Sequence, residues 1–159
     1  MEKYYKRVYA TQQIYNGRTF RSTMEADFAK FLSGVAIWYK GANYYHAPLD
    51  WEYEAHEFEL IPQEDWLDPT ERDTTLKRLV RNKKHTLQRV IYTPDFYLPK
   101  YDLFVEVKGF GFFNDLFKLR LRLFRHFYPN KKLWIVQHHE EFLKLDEVIA
   151  NTQIKDLTE

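Results

Sequence analysis

Cysteine is absent from the 159 residues. That excludes a disulfide framework, a zinc–thiolate centre and a thiol nucleophile, and it leaves the chain at ease in a reducing compartment. Glycine is scarce, at 5 residues. No Walker-type phosphate loop can be drawn, Gly109-Phe110-Gly111 has too few glycines for a dinucleotide fingerprint, and no organic cofactor is expected. Serine-nucleophile schemes lack their elbow. Long apolar runs are missing too. Nothing approaches the roughly 18 residues of a spanning helix, and no apolar h-region follows Met1-Glu2-Lys3-Tyr4-Tyr5-Lys6-Arg7, so the expectation is a cytoplasmic protein without a membrane partner.

What is present suits one folded domain, 1–159, since 45% of the residues are hydrophobic and the length supports a proper core. The net charge is only +1, but the charges are segregated. Ala47 to Glu71 holds nine acids and no Lys or Arg, whereas Arg72 to Arg89 holds seven Lys or Arg against the single Asp73. Lys77, Arg78, Arg81, Lys83, Lys84 and Arg89 are therefore candidates for phosphate contact, the blander alternative being a solvated basic face that balances its acidic neighbour.

The chemistry concentrates in two short apolar runs, Ile91 to Leu98 and Leu103 to Val107, separated by Pro99-Lys100-Tyr101-Asp102. A hairpin centred between Lys100 and Tyr101 places Asp95 opposite Glu106 and Thr93 opposite Lys108, all on one face. Pro94, Phe96, Leu98, Leu103, Val105 and Val107 then form the core face. Carboxylates directly opposite one another, roughly 5 Å apart, repel unless something positive lies between them. A hard divalent cation that keeps several waters and takes two protein oxygens, such as Mg²⁺, answers that need. Lys108, on the same face, either orients an attacking water or simply pairs with one of the acids.

Upstream, Ile14 to Phe20 predicts a hairpin turning on Asn16-Gly17. Ser22 and Glu25 fit a capping box that opens a helix with Met24, Phe28, Phe31, Leu32 and Val35 as its apolar stripe, ending near Gly34 or Gly41. Glu25 suits the cap without any catalysis, yet it borders the stripe and can sit where helix meets sheet. Trp51 to Leu60 alternates like a strand, but the acids change parity between Glu54 and Glu57. That predicts a bulge near Ala55-His56 or a strand end, with these acids on a solvated edge or facing the metal. Pro62 to Pro69 is turn-rich, and Thr70 to Asn82 has the pattern of a short helix.

Downstream, Lys118 to Leu123 alternates like a strand. A Leu133 to Val136 strand parallel to the Glu106 strand requires a crossover, however, so Asp115 to Tyr128 is expected to be helical. It would show a basic face of Lys118, Arg122, Arg125 and His126, with Leu116, Phe117, Leu119, Leu121, Leu123, Phe124 and Phe127 covering the rest. Arg120 would point into the apolar side, which is costly unless it reaches a functional cleft. His138-His139-Glu140 fits a strand end entering a helix with an acidic first turn. Glu140 to Ile149 reads as the last helix, and 151–159 as a frayed end.

Tyr92-Thr93-Pro94-Asp95, a spacer of ten, and Glu106-Val107-Lys108 resemble the motif of the PD-(D/E)xK nuclease superfamily. Gly109 after the lysine and the upstream Glu25 strengthen the likeness. Tyr15 to Leu32 also resembles the start of small phage-encoded nucleases, and phage-type Holliday junction resolvases share the order of parts. The stretch Pro62 to Gln88 departs from the pattern. The resemblance implies an α/β fold with a restriction-endonuclease-like core: a mixed central β-sheet flanked by helices in αβββαβ order, behind an N-terminal β-hairpin. That core would run over about 20–140, interrupted by an insertion at about 62–89. It further implies Mg²⁺, replaceable by Mn²⁺, held by Asp95, Glu106, Glu25 and the Val107 carbonyl, with Lys108 catalytic. DNA would be the partner, in recombination or DNA processing in the host cytoplasm if phage-encoded. A resolvase would be a homodimer. The alternative is a catalytically inactive nucleic-acid-binding or assembly protein on the same fold.

Overall fold

A computed structural model of the protein describes residues 11–66, 85–109 and 114–156. The chain enters through an antiparallel hairpin, β1 (Gln13–Tyr15) and β2 (Arg18–Phe20). Its Asn16-Gly17 turn holds both residues at positive φ, 49° and 72°, as the Asn-Gly pair predicts. Helix α1 (Thr23–Leu32) follows, with Ser22 as N-cap accepting from the Glu25 amide. It stops earlier than the apolar stripe implied. Ser33 caps it and Gly34 turns away at φ +76°, which leaves Val35 beyond the helix and exposed.

A second hairpin, β3 (Ile37–Tyr39) and β4 (Ala42–Tyr44), was not expected; Lys40 and Gly41 make its turn at φ 47° and 78°. The alternating stretch after Trp51 resolves into two strands, β5 (Glu52–Tyr53) and β6 (Phe58–Ile61). Glu54 stands between them at φ +48°, so the parity change of the acids marks a strand end. Next come β7 (Glu64–Trp66) and β8 (His85–Leu87), which pair antiparallel, so the expected insertion begins and ends in a β-ladder. The helix expected at 70–82 lies outside the described residues.

The run Ile91 to Leu98 is not one strand. β9 (Val90–Tyr92) pairs with β6, while β10 (Phe96–Leu98) belongs to the central sheet. Pro94 has no N–H to give a ladder, and the Asp95 carbonyl instead accepts from the Glu54 amide at 2.8 Å. A short 3-10 turn, Pro99–Tyr101, closed by Asp102 at φ 44°, leads into β11 (Leu103–Val107). Crossover helix α2 (Asp115–Phe127) and β12 (Lys132–Val136) complete the right-hand part of the fold, with β12 parallel to β11 as predicted.

The last helix differs from expectation at both ends. His139–Lys144 is a 3-10 segment, and α3 runs over Leu145–Asp156, so 151–156 is helical rather than frayed.

The result is a mixed α/β structure with three α-helices among the described residues. Its four-stranded sheet has the order β12-β11-β10-β5; β3 and β4 intervene between α1 and β5, and β6 to β9 between β5 and β10. One sheet face carries Phe96, Leu98, Leu103, Val105 and Val107 into a core with Phe28 and Leu32 of α1 and with Phe142 and Leu145. Phe28 meets Phe96 edge-on at 5.2 Å. Phe104 on the opposite face joins Phe58, Tyr92 and the Phe117, Leu121 and Phe124 stripe of α2. Only those three α2 residues are buried. Leu116, Leu119 and Phe127, expected to face inward, are about half exposed or more, because a single helix face is all that the sheet can cover. Among the described residues, no helix is long and apolar enough to cross a membrane.

Gly34 and Gly17 both need positive φ, but a Cβ on Gly34 would lie 2.9 Å from Pro48 Cδ while one on Gly17 meets nothing within 4 Å. Gly17→Ala should therefore lose about 1 kcal/mol from backbone strain. Gly34→Ala should lose clearly more. Equal shifts of the urea midpoint for the two variants would contradict this packing.

Candidate functional site

The register of β10 on β11, Phe96 with Val105 and Leu98 with Leu103, is the one a hairpin centred at Lys100-Tyr101 predicts. Carried one step further, it sets Asp95 beside Glu106 at the open end of the sheet. Glu25 arrives from the first turn of α1. These three acids are buried, at 3%, 5% and 6% exposure for Asp95, Glu106 and Glu25. Together with Val107 and Lys108 they line one cavity of about 1010 Å³. The residues expected to make the site are thus brought together.

Each acid has a defined set of partners. Asp95 Oδ2 accepts from the Val107 amide at 2.7 Å, and its Oδ1 accepts from Arg21 Nη2 at 3.1 Å. Glu106 Oε2 accepts from the Tyr92 hydroxyl at 2.9 Å. Its Oε1 has Lys108 Nζ at 3.9 Å, beyond hydrogen-bond reach, and no closer donor among the described residues. Glu25 receives the Tyr53 hydroxyl at 2.6 Å, the Ser22 hydroxyl at 3.0 Å and the Arg21 amide at 3.2 Å. The cap and the site therefore share this residue. Lys108 also lies over the Phe117 ring, 4.7 Å from its centroid.

The electrostatics follow from burial. Removal from water, then repulsion from Glu106 and Glu25, holds the Asp95 carboxyl well above the ordinary range, against the pull of the Val107 amide and Arg21. Burial likewise pushes Glu106 up to about 6, although Tyr92 and Lys108 oppose it. Burial and the neighbouring Glu106 raise the Tyr92 hydroxyl, which stays a donor. Burial would lower the Arg21 guanidinium, but Asp95, Tyr53 and Glu54 more than offset that and keep it charged.

Other predicted residues divide between the cavity wall, which includes His138, His139 and Glu140, and the outer surface. Glu54 and Glu57 line the cavity, and Glu54 forms an ion pair with Arg21. Arg89, Lys118 and Arg122 are exposed and do not line it. Lys77, Arg78, Arg81, Lys83 and Lys84 lie outside the described residues. Arg120 lines the cavity, the functional-cleft alternative to a costly apolar burial. His139 is held by Asp27 at 3.0 Å and stacked on Tyr39 at 3.7 Å, a packed structural role.

Sequence reasoning missed Arg21, Tyr53 and Tyr92. Tyr92 stands inside the motif stretch and Arg21 next to the cap, but no periodicity marks either as a partner of Asp95 or Glu106.

A hard cation fits the donors present. Two buried carboxylates of raised proton affinity, one with an oxygen lacking a close donor, offer what an octahedral ion needs from protein. Among the described residues, no three His, Cys, Asp or Glu side chains gather into a group that could hold a metal ion, so the protein's share would come from the Asp95 and Glu106 pair. Water and phosphate would have to supply the remaining ligands. No family model, curated protein or solved structure matches the chain.

Glu106 binds its proton more tightly folded than unfolded, so its effect on stability is favourable at low pH and disappears as pH rises from about 4.5 through about 6. That shift corresponds to about 2 kcal/mol. Without metal, Glu106→Gln should melt higher than wild type at pH 8 and lose the advantage near pH 4.5. A thermal-melt difference that does not change with pH would contradict the burial cause.

Proposed function

We propose that the chain is a Mg²⁺-dependent endodeoxyribonuclease of the PD-(D/E)xK type, built on a restriction-endonuclease-like core and acting on DNA in recombination or processing. Branched DNA and Holliday junctions are the favoured substrates, and a homodimer the form that would cut them symmetrically. The observation that carries this reading is the convergence of Asp95, Glu106, Glu25 and Lys108 on one cavity. Asp95 and Glu106 would hold the ion, with Glu25 and the Val107 carbonyl as further oxygens. When bound, Mg²⁺ supplies Lewis-acid stabilisation of phosphate charge and lowers the pKa of water.

The chain's own residues do the rest. Lys108, 3.9 Å from Glu106, directs a positive charge at the attacking water or at the phosphoryl oxygens where charge builds up. Tyr92 fixes Glu106 in place through its hydroxyl. The Val107 amide does the same for Asp95. Arg120 offers the cavity a cation for backbone phosphate, a positioning contact without base preference.

The competing reading, an inactive nucleic-acid-binding or assembly protein, draws on the Arg21–Asp95 contact, which already gives one acid a counter-ion. A panel of linear, single-stranded, flapped and four-way DNA with Mg²⁺ separates the two. Wild type should cut at least one member, EDTA should stop it, and Lys108→Ala should lower the rate by about 10²- to 10³-fold, as loss of one transition-state charge contact does. Asp95→Asn should be at least as impaired. Binding without cleavage would establish the inactive reading, and equal cutting by wild type and variants would expose a contaminant.

A further inference from the structure

Arg21 occupies a position that the proposed chemistry does not use. It lies on the short link between β2 and α1, and its main-chain amide is tied to Glu25 at 3.2 Å. That hydrogen bond anchors its main chain beside the site. That side chain is 60% exposed, yet its guanidinium reaches Asp95 Oδ1 at 3.1 Å and pairs with Glu54. A solvent-side cation therefore covers a carboxylate that is otherwise almost wholly buried.

We infer that Arg21 is a displaceable counter-ion: it and a divalent cation bind Asp95 Oδ1 in mutually exclusive fashion, and the released guanidinium pairs with a substrate phosphodiester. The inference rests on the metal reading of the site. Its physical basis is that an ion coordinating a carboxylate oxygen at about 2.1 Å and a guanidinium hydrogen-bonded to the same oxygen repel one another and compete for its lone pairs. Lys108 is not an equivalent stand-in, because its contact is with Glu106. Once displaced, a planar guanidinium at the cavity mouth has the donor geometry for two oxygens of one phosphate. Arg21 is thus a positioning residue that couples metal occupancy to substrate binding, and the coupling must act in both directions.

Calorimetric titration of Mn²⁺ into wild type and Arg21→Gln, without nucleic acid, tests this apart from activity. Arg21→Gln should bind Mn²⁺ roughly 10-fold more tightly, a difference of about 1.4 kcal/mol. It should also bind a four-way DNA more weakly in Ca²⁺. A purely structural Arg21 would give unchanged or weaker Mn²⁺ binding, and that result overturns the inference while leaving the nuclease reading intact. Absence of Mn²⁺ binding to both proteins overturns both. Should Arg21→Gln fail to fold, wild type suffices: the Arg21 Nε–H resonance, assigned with Arg21→Lys, should shift as Mg²⁺ saturates the protein. A resonance that stays in place on saturation overturns the inference.

Discussion

Two carboxylates held side by side out of water repel one another, and each costs on the order of several kcal/mol to desolvate. Asp95 and Glu106 are in that situation, and much of the surrounding structure answers it. The Val107 amide turns from the ladder to Asp95, Tyr92 donates to Glu106, and Arg21 and Lys108 bring positive charge. Tyr53 and the α1 cap hold Glu25 at the same opening. These partners offset part of the repulsion, and the sheet holds both acids in place by register.

That register depends on a small piece of chain. The 3-10 turn at Pro99–Tyr101 and the left-handed Asp102 set the β10–β11 pairing. A slip of β10 by one residue against β11 would turn Asp95 toward the core, away from Glu106, and bring an apolar group to the cavity. The break at Thr93-Pro94 is equally necessary. It lets β9 leave the sheet for β6, so that Tyr92 packs with Phe58 and Phe124 on the α2 side while its hydroxyl still reaches Glu106. The two cores on opposite faces of the sheet therefore meet at the acid pair.

Local signals were legible in the sequence. The Asn16-Gly17 turn, the Ser22 cap, the β10–β11 register and the α2 crossover follow from period, turn chemistry and the need of a parallel strand pair for a crossover. Three of the candidate site residues follow because a two-residue period aligns Asp95, Glu106 and Lys108, and Glu25 was marked by its capping box. What was not legible depends on partners distant in sequence: Arg21 reaches Asp95 across 74 positions and Tyr53 reaches Glu25 across 28. The exposure of Leu116, Leu119 and Phe127 has a similar origin, since a helical wheel shows apolar faces but not how much surface the sheet presents to cover them. The Lys40-Gly41 turn escaped because lysine carries no bias toward positive φ.

The charge balance of the cavity ties these observations together. Its lining includes six acids, Glu25, Glu54, Glu57, Asp95, Glu106 and Glu140, against the four cations Arg21, Lys40, Lys108 and Arg120. Full ionisation leaves two negative charges in excess. Protons can discharge part of that excess, and burial, before repulsion, is what raises the proton affinity of Asp95 and Glu106; a divalent cation could discharge it at neutral pH without protonating either acid. Arg21 offsets charge at the exposed edge, on Asp95 Oδ1 and on Glu54. Glu106 Oε1, with Lys108 Nζ at 3.9 Å and no closer donor among the described residues, leaves its carboxylate the more open of the two to a further partner.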